Sequence, residues 1–88
     1  MFKMEELTEE EAHHLSNAMQ KMAIIHQREV TDEWIFNCLE VMASDRSTTP
    51  ANLFKAIRMA TRECDRLPLP KHILECLYTM NAQPGGAA

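Results

Sequence analysis

Side chains able to hold a metal or attack a carbonyl are few in this sequence: His13, His14, His26 and His72, with Cys38, Cys64 and Cys76. Imidazole nitrogen and thiolate sulfur are the donors that a tetrahedral zinc site takes. No C-x-x-C pair brings two thiols together, and His13 and His14, being adjacent, point about 100° apart on a helix. The spacing gives no metal site and implies no cofactor. The cysteines fall on or beside apolar stripes, as thiols buried in a core do. A Cys–His nucleophile would need a nucleophile turn, a glycine loop or an oxyanion-hole segment, and none accompanies these residues. Glu9, Glu10 and Glu11 are neighbouring carboxylates, but they sit in an exposed first helical turn without the desolvation that general acid catalysis uses. No catalytic constellation is expected, and the chain reads as a binding protein.

The chemistry that does stand out is cationic. Lys55, Arg58, Arg62 and Arg66 are spaced three, four and four apart, which sets them along one face of a predicted helix. Residues 50–72 carry those four and Lys71 against Glu63 and Asp65, a net of +3, while residues 1–11 carry Lys3 against five glutamates, a net of −4. Such a stripe can meet phosphates or an acidic protein surface, with Arg suited to forked contacts to oxyanions. It can equally be a solvated helix face or lie against the acidic N-terminal segment. Few aromatic residues accompany it, so stacking on single strands is poorly supported. Trp34, expected in the first turn of a helix, either anchors the core or serves as an interface hot spot. Seven methionines, among them Met19, Met22, Met42, Met59 and Met80, either fill the core or form an adaptable recognition surface.

Helices must position these residues. Both glycines lie at Gly85 and Gly86, prolines punctuate the chain at 50, 68, 70 and 84, and valine occurs only twice. Runs of β-branched residues with period-two alternation are missing, so an all-α bundle of about four helices is expected. Thr8 and Glu11 form a capping box that starts a first helix over about Glu9 to Gln27, with Ala12, Leu15, Met19, Met22 and Ile25 as its apolar stripe. Leu7 stands at the staple position, and the segment before it is expected to fold back. Thr31-Asp32-Glu33 opens a second helix ending near Ala43, with Ile35, Cys38, Leu39 and Met42 inward. Thr49-Pro50 opens a third, with Leu53, Ala56, Ile57, Ala60 and Cys64 inward, running to about Arg66. Leu67-Pro68-Leu69-Pro70 breaks it, and Pro70 starts a fourth that fades near Asn81 and buries Ile73, Leu74, Leu77 and Met80. Short connections favour antiparallel neighbours within one domain over residues 1–81, followed by a flexible tail over 82–88.

Composition narrows the setting. Three widely spaced cysteines, an odd number, fit reduced thiols in the cytoplasm better than a disulfide framework. No stretch approaches the roughly 20 apolar residues of a membrane span, and no basic start leads into an apolar export signal. A formal net charge of −4 opposes general attraction to phosphate backbones, so nucleic acid is a less favoured partner than protein. Small bundles often gain burial by pairing, so a homodimer through Met-rich or Trp34-centred surface is also open.

Read in order, the acidic Glu5-Glu6-Leu7-Thr8-Glu9-Glu10-Glu11, then Val30-Thr31-Asp32-Glu33-Trp34, then Ala56-Ile57 and Cys64-Asp65-Arg66-Leu67-Pro68-Leu69-Pro70-Lys71-His72-Ile73-Leu74 carry a likeness. From about Glu5 to Tyr78 the chain resembles the N-terminal helical domain of phage helicase loaders and replicative-helicase inhibitors. Those domains share a Trp-containing second helix, an Ala-rich third and a Pro-punctuated turn into a short fourth. The resemblance implies binding to a replicative helicase or initiator in phage-type DNA replication, by occupancy and conformational bias, without nucleotide hydrolysis. Family members often carry a longer C-terminal segment that engages the helicase, whereas Gln83-Pro84-Gly85-Gly86 stands here; a modulator is therefore expected rather than a loader. A nucleic-acid-binding regulator and an adaptor or inhibitor of a host process, such as an antidefence protein, are the alternatives.

Overall fold

Three threonines set where the first three helices begin. Thr8 Oγ1 accepts the Glu11 N–H at 3.1 Å while Glu11 Oε1 accepts the Thr8 N–H at 2.9 Å, closing a capping box at the start of α1 (Glu9–Ile25). Thr31 Oγ1 accepts the Trp34 N–H at 3.0 Å and opens α2 (Asp32–Ala43). Thr49 and Asn52 exchange the same reciprocal bonds ahead of α3 (Pro50–Glu63), with Pro50 at its first position. At α4 (Pro70–Ala82) the cap runs the other way, the Leu69 N–H donating to His72 Nδ1 at 3.3 Å. The structure, a computed structural model, describes residues 1–82, and they hold four α-helices and a 3-10 turn at Met4–Glu6 with no strand among them. Ala82 belongs to α4 rather than to a tail, and the expected flexibility of residues 83–88 lies outside the described residues.

Two helix ends differ from the sequence expectation. The first helix stops at Ile25, because Gln27 adopts φ 58 and the chain closes a Schellman motif: the Arg28 N–H donates to Ala23 O at 2.9 Å and the Gln27 N–H to Ile24 O at 3.0 Å. Nothing in the sequence marks this, since the left-handed position is filled by glutamine instead of glycine. The third helix stops at Glu63, with Cys64 extended at φ −94, ψ 140. Leu67 and Pro68 must turn inward, Pro68 being fully buried, and residues 64–69 are spent on that reversal before α4 begins. Arg66 therefore lies in the connection and not on α3.

The core is drawn from all four helices. Leu15, Met19 and Met22 of α1, Leu39 and Met42 of α2, Leu53 and Ile57 of α3, and Ile73 and Leu77 of α4 are fully buried. Met19, Met22 and Met42 thus fill the core, while Met59 and Met80 are half-buried. Cys38 is buried, and Cys64 and Cys76, half-buried, pack against the same core, as thiols on or beside the apolar stripes were expected to. Ile25, expected on the inward stripe, is exposed because it is the last residue of α1. The segment before Thr8 folds back as expected: the Phe2 N–H donates to Ala43 O at 3.0 Å, and the 3-10 turn packs on α2. The acidic N-terminal segment is thereby held on α2.

α3 is the central element, packed chiefly on α4 and α1. Glu11 and His14, early in α1, share a recess with Pro50, Ala51 and Phe54, early in α3, so α1 and α3 run side by side in the same sense.

Candidate functional site

Parallel helices in contact leave a continuous furrow between them, and here its walls carry a distinctive set of side chains. On α1 the positions His14, Asn17, Ala18, Lys21 and Ile25 recur at three- and four-residue steps and form one stripe. On α3 the facing stripe is Phe54, Arg58, Thr61 and Arg62. Together they line a groove of about 490 Å³, larger than the recesses of about 270 Å³ and about 230 Å³ elsewhere on the surface. The smallest of the three shares His14 and Phe54 with it and extends it toward the helix N-termini.

Phe54 is the centre of the arrangement. Its ring lies 6.2 Å from the His14 ring at an interplanar angle of 44°, and the Arg58 guanidinium carbon sits 5.7 Å from the Phe54 centroid. A cation at that distance from an aromatic face is attracted by the ring quadrupole, which orders the Arg58 side chain along the groove. Lys21, Arg58 and Arg62 bring three positive charges, and of the described residues that line the groove none is Asp or Glu. Arg62 also lies in the last turn of α3, where it offsets the negative end of the helix dipole; that structural role is worth about 0.3–1 kcal/mol and leaves the guanidinium in solvent. The groove floor is apolar at Ala18 and Phe54, and Ile25 extends that character to its far end.

The sequence-predicted stripe is only partly reproduced. Arg58 and Arg62 enter the groove. Lys55 is exposed on α3 but does not line the groove, being one position from Phe54 and so turned about 100° from it. Arg66 stands in the α3–α4 connection, off the helix altogether. Trp34 is half-buried against the core in the first turn of α2 and is not a groove residue. Sequence reasoning passed over Lys21 and Phe54, weighed His14 only as a metal ligand and set Ile25 on the inward stripe. The 14-17-21 polar steps beside the apolar stripe of α1 are a signal for His14 and Lys21, but only the pairing of α1 with α3 gives them meaning.

No family model, curated protein or solved structure matches this chain. Its chemistry has to be read from its own side chains.

Those side chains offer charge and shape in place of reactivity. Burial pushes the Cys38 thiol up from its ordinary value. Burial, then the neighbouring Cys64, Glu63 and Glu75, does the same to Cys76. A raised thiol stays protonated near neutrality and is a poor nucleophile. Among the described residues no group of three or more His, Cys, Asp or Glu side chains is placed to hold a metal ion. No helix of the described residues is long and apolar enough to cross a membrane. Asp45 and Tyr78 shift as a pair. The Tyr78 hydroxyl donates to Asp45 Oδ2 and the Ser47 N–H to Asp45 Oδ1, which lowers the Asp45 carboxyl, while the same bond raises the Tyr78 hydroxyl. This clamp ties the α2–α3 loop to α4 and contributes no residue to the groove.

Proposed function

We propose that the chain is a non-enzymatic, cytoplasmic protein-binding module that acts by occupying part of a replicative helicase or initiator. The observation that carries the reading is the α1–α3 groove, where Arg58 lies over Phe54 and Lys21 and Arg62 line the same furrow further along, with no carboxylate in that lining. Binding surfaces are commonly built this way, with an aromatic anchor, arginines and a polar rim. The replication partner comes from the resemblance to helicase-loader domains, and the modulator role follows from it. Such a protein biases the partner's conformational equilibrium by as much as its affinity differs between the two states.

Immobilised full-length chain is incubated with lysate of the bacterial host, and retained proteins are identified by mass spectrometry against an Arg58→Glu, Arg62→Glu double variant. A replicative helicase or initiator should be retained by the native chain and lost from the variant. Recovery of neither class by the native chain rejects the replication reading. The same three cations support a second reading, a nucleic-acid-binding regulator, for which affinity falls steeply with salt. Absence of a mobility shift with DNA or RNA at low salt removes it.

A further inference from the structure

The groove has two ends of different character. At the Phe54 end a ring is already covered on one side by Arg58 and flanked on another by His14. At the other end Ile25 is 62% exposed and its neighbour Ile24 72%, two large aliphatic side chains in water at the terminus of a helix whose other apolar residues are largely buried. Between the ends stand Lys21, Arg58 and Arg62. From His14 to Ile25 the α1 wall is about 16 Å long at 1.5 Å per residue, the length of about three turns of a docked helix.

Resting on the protein-binding reading above, we infer that the occupant of this groove is an acidic amphipathic helix of the partner. Its carboxylates meet Lys21, Arg58 and Arg62, and its apolar side chains lie on Ala18 and against Ile25. Arg58 and Arg62 present guanidinium forks that match carboxylate oxygens in pairs, and Lys21 adds a point charge from the opposite wall. Helix-in-groove recognition uses anchors at i, i+3, i+4 and i+7 of the docked helix, and a furrow between two helices about three turns long has room for that set. Charge complementarity selects an acidic occupant, since the stretch from His14 to Ile25 is lined by three cations and no carboxylate, Glu11 lying beyond it toward the helix N-termini.

A nucleic-acid strand fits the same place less well. Three phosphate contacts give a salt slope of only about 2 on a single strand. The single aromatic ring is engaged by Arg58 and His14 in place of standing free as a stacking platform, and exposed isoleucines have nothing to gain from a phosphate backbone. The molecule's net charge of −4 repels the remainder of the strand.

The test is selection of random displayed peptides of about sixteen residues, enough for about four helical turns, on the immobilised full chain. Enriched peptides should be net acidic, with apolar residues three or four positions apart. They should bind an Arg58→Gln, Arg62→Gln variant at least tenfold more weakly and Ile25→Ser several-fold more weakly, with unchanged circular dichroism in both variants and a melting temperature of the double variant lowered only by the few degrees that the lost helix-dipole contribution of Arg62 accounts for. Lys55→Gln, beyond the groove rim, should leave binding unchanged and serves as the control for general charge. Four results overturn the assignment: no enrichment over a blank surface, enriched sequences without acidic bias, binding indifferent to Arg58 and Arg62, or displacement of the peptides by a mixed-sequence single-stranded oligonucleotide at lower concentration than by free peptide. Acidic peptides that require Arg58 and Arg62, together with a lysate that yields no replication protein, would leave the groove assignment standing and remove the helicase reading. The reverse pattern removes the groove assignment alone.

Discussion

Phe54 shows how one side chain can organise a surface, because His14 from the neighbouring helix and Arg58 from one turn further along α3 both use its faces. Asp45 and Tyr78, outside the groove, form a clamp that bears on stability. The Asp45 carboxyl is held below its ordinary value, first by the Tyr78 hydroxyl and then by the Ser47 N–H, so its contribution is complete above the unfolded carboxylate range and is lost as pH falls through the lowered folded value. Tyr78 is raised, chiefly by the same bond, so its contribution is complete below the ordinary tyrosine value and is lost as pH rises through the raised one. Tyr78→Phe is therefore expected to lie closest to the native chain at the acid and alkaline extremes and to be less stable between them. Urea denaturation over about pH 3 to 11 checks this. Gln27 gives a second expectation at this scale. Its φ of 58 places a Cβ where glycine has none, so Gln27→Gly should raise stability by up to about 1 kcal/mol in a chemical melt, and a loss would show that the glutamine side chain itself holds the turn. Neither the clamp nor the left-handed residue was legible beforehand: Asp45 and Tyr78 are distant in sequence, and glutamine carries no turn signal.

At the scale of elements the sequence was most informative where a side chain acts on its own backbone. Thr8 with Glu11, Thr31 ahead of Asp32, and Thr49-Pro50 each mark a helix start that the structure places at the same residue, because capping is a local hydrogen bond between groups three positions apart. Thr49→Ala is expected to cost about 1 kcal/mol and to lower the melting temperature by about 4–8 °C in a domain of this size; circular dichroism reads it. Helix ends were less legible, since what stops α3 at Glu63 is the burial of Leu67 and Pro68 by the rest of the fold. That three-residue difference moves Arg66 off the helix and changes the candidate site. Spacing alone puts four cations on one face, and packing keeps two of them in the groove and brings Lys21 from another helix to join them.

For the whole molecule, four amphipathic segments were enough to specify a helical bundle, as periodic apolar residues must bury one face each. Which helices become neighbours was not in the periodicity. The parallel α1–α3 pair arises with α3 taking the centre, and the groove is a product of that pairing. A photoreactive amino acid in place of Thr61, on the α3 wall, compared with the same residue in place of Val41, exposed on α2 and outside the groove, reports in native lysate whether a partner seats in the α1–α3 groove. Crosslinks to one partner from position 61, removed by Arg58→Glu with Arg62→Glu and missing from position 41, are the expected result. Crosslinks to that partner from position 41, with position 61 silent, would contradict the account.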